Sequence, residues 1–131
     1  MRSRKVLRAI AAAGIALGAV LASTGTASAA EKDGWLTSGE LGLFCNSNQS
    51  SSVFDLYYGD FDFSDDYFKG SQSCAGQKVN DNTASYANRD AYDWTVHTDW
   101  KGNGQIKYLT SGAAGNLTGE FKNSISSAYI A

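Results

Sequence analysis

The sequence predicts an all-β domain, a small sandwich of two similar units. Short β-favouring runs recur along the chain, each interrupted by glycine, asparagine, serine or aspartate. No window beyond the first thirty residues holds a 3.6-residue apolar period for three turns, which argues against a helical body. The order of strand, polar turn, second strand and closing Asn/Ser segment occurs twice. Each such unit would expose an apolar face alone, so the two four-stranded units are expected to pack those faces together.

The first segment is of a different kind. Arg2, Arg4, Lys5 and Arg8 precede an apolar run from Ala9 to Ala22, and a Ser/Thr/Gly stretch ends in Ala27-Ser28-Ala29. Basic, apolar and small-residue regions in that order predict a secretory signal peptide over 1–29, removed before the protein works. An apolar stretch of about 14 residues is short of the roughly 20 that span a bilayer, so no membrane anchor is expected after cleavage. Residues 30–131 then form one domain, expected to be secreted, extracellular and monomeric.

Within that domain the elements follow in order. Leu41–Cys45 is a first strand, Asn46–Ser50 a polar turn and Val53–Tyr58 a second strand. A longer irregular stretch from Gly59 to Gly76 carries Asp60, Asp62, Asp65 and Asp66, and Asp81-Asn82-Thr83-Ala84-Ser85 closes the unit. In the second unit Trp94–Thr98 and Gln105–Leu109 flank the Lys101–Gly104 turn, and Lys122-Asn123-Ser124-Ile125-Ser126 leads into a last strand, Ser126–Ile130. The first unit is about 12 residues longer, with its surplus between Gly59 and Gly76.

Charge and cysteine content bound the function. The chain has 11 basic and 13 acidic side chains, and 4 of the basic ones lie in 1–29, which leaves 7 against 13, a formal charge of −6. Nucleic-acid binding needs a clustered basic surface and is not expected. Cys45 and Cys74 are the only cysteines. An even pair in an oxidising compartment is most simply a disulfide, and neither residue belongs to a CxxC pair suited to redox or metal chemistry. Closing that loop is worth about 3.5 kcal/mol by the chain-entropy relation.

Three segments, Gly39–Gln49, Asp81–Asn88 and Asn116-Leu117 with Asn123–Ser127, together resemble the small secreted metalloproteinase inhibitors of Streptomyces and the secreted actinobacterial proteins grouped with them. The resemblance spans nearly all of the domain. It implies a β/γ-crystallin-like sandwich of two Greek-key motifs and, as activity, inhibition of an extracellular, thermolysin-like metallopeptidase. The family's defining inhibitor resembles a protein with two disulfides, and this chain has cysteines for one.

The candidate inhibitory loop lies in the surplus of the first unit, at Tyr67, Phe68, Lys69, Ser73 and Ala75 beside Cys74. Tyr67 and Phe68 offer the apolar side chains that thermolysin-like enzymes favour, and the disulfide would limit the entropy lost on docking. The alternative reading places Phe68 in the core and makes the loop a long crossover. The four-aspartate cluster at 60–66 lacks EF-hand spacing. The resemblance implies a different calcium pattern, two Asp/Asn residues, two free positions, then Ser/Thr and Ser. Asp81, Asn82 and Ser85 meet it except at Tyr86, and Asn123 and Ser126 meet it except at Lys122. Calcium is therefore a candidate ligand, no cofactor is required, and Asn/Ser-stabilised turns are the alternative.

Catalysis finds little support. His97 is the only histidine and sits in an alternating, strand-like run; HExxH and GxSxG are both absent. Asp60 with Asp62, or Asp90 with Asp93, could be paired for glycoside hydrolysis, but a small sandwich offers little room for the cleft this needs. The alternative to inhibition is a binding or structural module for a glycan, a cell surface or another protein. Three tryptophans and seven tyrosines supply aromatic surface for either role, with Trp35 and Trp100 expected to be partly exposed.

Overall fold

The computed structural model describes residues 31–131, which form one compact unit. The signal-peptide expectation falls on residues 1–29 and lies outside the described residues. Seven strands follow in order: β1 (Leu41–Asn46), β2 (Ser50–Leu56), β3 (Ser85–Asn88), β4 (Trp94–His97), β5 (Ile106–Leu109), β6 (Ala114–Asn116) and β7 (Ser127–Ile130). One antiparallel sheet has the order β2-β1-β3-β6, the other β5-β4-β7.

Period-two alternation decides which side chains meet between the sheets. Leu41 and Leu43 on β1 stand opposite Leu56 and Phe54 on β2, and Trp94 on β4 lies between Leu109 on β5 and Ile130 on β7. All of these belong to one buried cluster with Phe63, Phe68, Val79, Val96, Leu117, Ile125 and Ala128. Phe54 and Phe63 pack edge to face at 5.1 Å, an arrangement that suits the ring quadrupoles. The far side of β1 is closed by the amino-terminal segment. A Cβ on Gly42 would stand 2.7 Å from Leu36 Cδ2, so only glycine lets that segment lie so close.

The two units exchange pieces. β6 comes from the second unit but pairs with β3 of the first, while Asp60 of the first pairs with Ala128 on β7 through hydrogen bonds of 2.8 and 2.9 Å. The expected two four-stranded units are therefore realised as seven strands with an isolated bridge in the eighth place. Beyond that bridge the chain turns inward at Phe63, where a 3-10 turn (Phe63–Asp65) is capped by the Asp62 carboxylate accepting from the Ser64 amide. All five strands predicted from the sequence are present. β3 and β6 are additional, because Ser, Ala, Asn and Gly have weak strand preference and are recruited by pairing partners.

The registers also locate the length difference. Leu41 and Leu56 correspond to Trp94 and Leu109, a spacing of 53, but Asn88 corresponds to Ile130, a spacing of 42. The difference, 11 residues, falls between β2 and β3, as the sequence predicts.

Candidate functional site

The surplus of the first unit folds into a hairpin-like loop. Tyr67 bridges Lys78, Phe68 N donates to Gln77 O at 2.9 Å, Gly76 N donates to Phe68 O at 2.8 Å, and Val79 N donates to Asp66 O at 3.0 Å. Cys74 is bonded to Cys45 with the Cα atoms 6.5 Å apart, which ties the loop to β1. The Ser73 hydroxyl also hydrogen-bonds that of Ser51 on β2. Lys69 and Ser73 are exposed, Ala75 is half-buried and Tyr67 is 46% exposed. Phe68 is a correction to the inhibitory-loop expectation. Its side chain is only 2% exposed and belongs to the core, because the loop needs an apolar anchor between its two polar arms.

Sequence reasoning missed the neighbour of this loop. The strap Glu31–Trp35 runs back along the domain and reaches it: a Cβ on Gly34 would stand 3.1 Å from the Lys69 carbonyl carbon, and Lys69 Nζ donates to Lys32 O at 3.2 Å. The strap is held by carboxylates. Asp55 accepts from the Asp33 and Gly34 amides, and Glu31 accepts from the Tyr57 and Tyr58 amides at 2.7 and 2.9 Å. Trp35 follows immediately and is 74% exposed. Exposed tryptophan was legible as an expectation; its place next to the loop needs contacts between residues far apart in sequence.

The acidic cluster divides into separate structural tasks. Lys32 Nζ lies 2.9 Å from Asp60 Oδ2 and 3.3 Å from Asp66 Oδ1, while Asp62 caps the 3-10 turn and Asp65 is exposed. Burial opposes the Lys32 charge, but Asp60 and Asp66 outweigh it and hold its pKa above the ordinary value. Burial pushes Asp66 up to about 7, helped by Asp60 beside it, and burial likewise raises Asp55 to about 7.

Both carboxyls bind a proton more readily in the folded protein than in the unfolded one. Their contribution to stability is therefore full below the ordinary 3.8 and is lost as pH rises through about 7. His97, whose pKa is lowered by burial, acts in the opposite sense below its ordinary 6.5, and the two carboxyls set the net direction. The Tm by scanning calorimetry is expected to be higher at about pH 5 than at about pH 8, and Asp66→Asn should flatten that dependence. A Tm that rises with pH across this window would contradict the protonated pair.

The two closing turns face each other. Asp81 N donates to Ile125 O at 3.1 Å and Asn123 N donates to Thr83 O at 2.8 Å, and Asp81 and Asn123 share φ +57°. These reciprocal bonds make Asp81 the counterpart of Asn123 and Ala84 the counterpart of Ser126, one residue out of the alignment read from sequence. Asp81 Oδ1 and Ser126 Oγ come within 3.4 Å. The other expected calcium residues are placed differently. Asn82 turns to Gln77 Oε1 and Lys78 O, and buried Ser85 donates to Asn46 O at 2.6 Å while accepting from the Gln49 amide. One turn thus pairs a carboxylate with a hydroxyl, whereas Asn123 has Ala84, which carries no side-chain oxygen, in the symmetric place. Among the described residues no group of three or more His, Cys, Asp or Glu could hold a metal ion. A hard cation at Asp81 and Ser126 would have to draw its remaining oxygens from backbone carbonyls and water.

An open cleft of about 400 Å³ adjoins this turn, lined by Asp62, Ser64, Asn80, Asp99, Trp100 and Ser126. Trp100 is 53% exposed and carries Lys101 Nζ 4.5 Å from its ring centroid. His97 is not part of it. That ring is buried on β4, edge to face with Tyr129 at 5.5 Å and 3.0 Å from Thr95 Oγ1.

No family model matches the chain, and no curated protein matches it. Two solved structures do. One, described as "Evolution of the eye lens beta-gamma-crystallin domain fold", is 18% identical, covers 72% of this chain and 86% of that chain, and gives a TM-score of 0.57. The other, the N-terminal domain of protein S, is 17% identical, covers 71% of this chain and 96% of its own, and gives a TM-score of 0.54. At these identities the likeness is one of fold: the described residues form an all-β, β/γ-crystallin-like sandwich of two Greek-key motifs.

Proposed function

We propose that this chain is a secreted binding protein without catalytic chemistry of its own, and that it inhibits an extracellular, thermolysin-like metallopeptidase. The observation that carries this reading is the loop at Lys69–Ser73, exposed at its tip while its base is fixed by backbone pairs, buried Phe68 and the Cys45–Cys74 bond. A segment held in one shape loses little entropy on docking and is a poor substrate, because cleavage requires it to adapt to the protease cleft. Trp35, next along the strap that packs on Lys69, adds the kind of exposed aromatic anchor that dominates binding energy at protein interfaces. The disulfide is compatible with an oxidising, extracellular setting.

Titrating such a peptidase with the purified domain, at fixed zinc and excess calcium, is expected to abolish activity stoichiometrically. Trp35→Ala should weaken inhibition by about 30-fold or more, the effect of losing a hot-spot residue. No loss of activity at micromolar domain would overturn the inhibitor reading.

A second reading rests on the Asp81–Ser126 contact: calcium bound there steadies the two facing turns, with no need for it in folding. Calcium is expected to raise the Tm through ligand linkage, and Asp81→Asn, which suits the φ +57° backbone and keeps an acceptor for Ser126, to reduce the rise while the Tm in chelator stays nearly unchanged. A Tm indifferent to millimolar calcium would remove this reading.

A further inference from the structure

We infer that the cleft at Trp100 is a binding site and that it takes a pyranose glycan without acidic groups. Four stretches of chain converge on it: Asp62 and Ser64 from the first crossover, Asn80 from the first closing turn, Asp99 and Trp100 from the hairpin after β4, and Ser126 from the second closing turn. Such convergence makes the site a product of the fold, and its 400 Å³ lies in the range of small-molecule sites.

The lining determines the class of ligand. Carboxylates accept hydrogen bonds from hydroxyls, the Asn80 amide both donates and accepts, and the two serine hydroxyls do likewise. An indole presents a flat apolar surface that matches the C–H face of a sugar ring, whose rim of hydroxyls then meets the polar side chains. The cleft is open, so an apolar ligand would stay largely in water there. A uronic acid or a phosphate would meet Asp62 and Asp99, and Asp62 is held ionised by the hydrogen bonds it accepts from Ser64. A neutral or amino-bearing pyranose meets these donors and acceptors without setting an anion against the two aspartates.

The platform is also rigid. Asn103 N donates to Trp100 O at 3.1 Å, Lys101 N donates to Phe61 O at 2.7 Å, and the Ser127 hydroxyl joins Gly102 N to Asp99 O. Lys101 sits at φ +55°, a backbone conformation that a non-glycine residue holds only when its surroundings enforce it. These bonds fix the backbone that carries Trp100, so its ring is presented at the surface without rearrangement of the turn. The Lys101 ammonium rests 4.5 Å from the centre of this ring, so a sugar that stacks there takes the opposite face or displaces it.

The test follows the Trp100 indole N–H by heteronuclear NMR in the intact domain while chitin, cello- and glucosamine oligosaccharides are added, with polygalacturonate oligomers as the acidic arm. All samples are run in chelator and again in calcium, because Ser126 adjoins both sites. Saturable movement of the Trp100 signal with a neutral or amino oligosaccharide is expected; affinity, read in every variant from the backbone amides of Ser64, Asn80 and Ser126, should be at least about tenfold weaker in Trp100→Ala and unchanged in Trp35→Ala. Trp100 is exposed, so its truncation should leave the fold intact, which near-ultraviolet circular dichroism checks. Lack of movement with every neutral and amino sugar at millimolar concentration, equal binding of the acidic oligomers, or undiminished binding by Trp100→Ala would each overturn the assignment. Metallopeptidase titration of Trp100→Ala is expected to match that of the unaltered domain, which separates this site from the loop at Lys69–Ser73.

Discussion

Trp94→Ala is expected to lower the unfolding free energy by about 3–5 kcal/mol, the range for truncating a fully buried aromatic residue. Trp94 is fully buried at the middle of the β5-β4-β7 sheet, opposite Leu109 on one side and Ile130 on the other. Its loss removes the largest fully buried side chain and opens a cavity between strands that cannot close without breaking their registers. It also removes the indole donor that the Asp90 carboxylate accepts at 2.8 Å. A domain of this size holds about 5–10 kcal/mol in all, so the variant should be close to unfolding at ambient temperature. Urea titration with an unchanged slope and a lower midpoint would report the loss directly. Trp94→Phe separates the two effects, since it retains most of the volume and sacrifices the hydrogen bond. A loss below about 1.5 kcal/mol in Trp94→Ala would mean that the core repacks around the gap.

Replacing Cys45 and Cys74 together with alanine is expected to cost about 3.5 kcal/mol, mostly by freeing the unfolded chain. The staple also acts locally. Without it the loop keeps the Tyr67–Lys78 bridge, its backbone bonds and the Phe68 anchor, but its far arm loses the covalent tie to β1. Inhibition by the folded double variant should therefore weaken more than its thermal stability alone implies, measured at a temperature where circular dichroism shows it folded. Unchanged inhibition in the folded variant would exclude this loop as the contact. Cys74→Ser alone is a poorer test, since it leaves the Cys45 thiol free to react.

The strands that fill the core were legible as short β-favouring runs, and in β1, β2 and β4 residues two apart share the buried face. Leu41 with Leu43, Phe54 with Leu56 and Trp94 with Val96 are apolar pairs spaced two apart on strands the sequence predicts, whereas β5 gives the core only Leu109 and leaves Ile106 and Tyr108 exposed. β3 and β6 were not legible, since Ser85-Tyr86-Ala87-Asn88 and Ala114-Gly115-Asn116 carry no such pattern and become strands only because edges of β1 and β3 await partners. The lone Asp60 bridge follows the same logic, a polar residue paired by the β7 edge rather than by its own preference.

For the candidate sites the division is similar. Local cues located the loop, its cysteine and the exposed tryptophans, since exposure follows from neighbouring charged and glycine residues. They left Phe68 open between loop contact and core, because whether an aromatic residue beside a loop points out or in depends on space between sheets that no local window encodes. They misaligned the two closing turns by one residue, since Asp81 and Asn123 became equivalent only through bonds that cross between the units.

The sequence by itself determined the all-β class, the two-unit repeat with its longer first copy, the disulfide pair and most of the core, all properties of local pattern and composition. Only the tertiary structure decided that the amino-terminal strap lies against the loop, that Asp81 meets Ser126, and that Trp100 stands over an acidic cleft. Each of those joins residues distant along the chain. Their meeting is set by sheet pairing and packing, which depend on the whole domain and not on any segment of it.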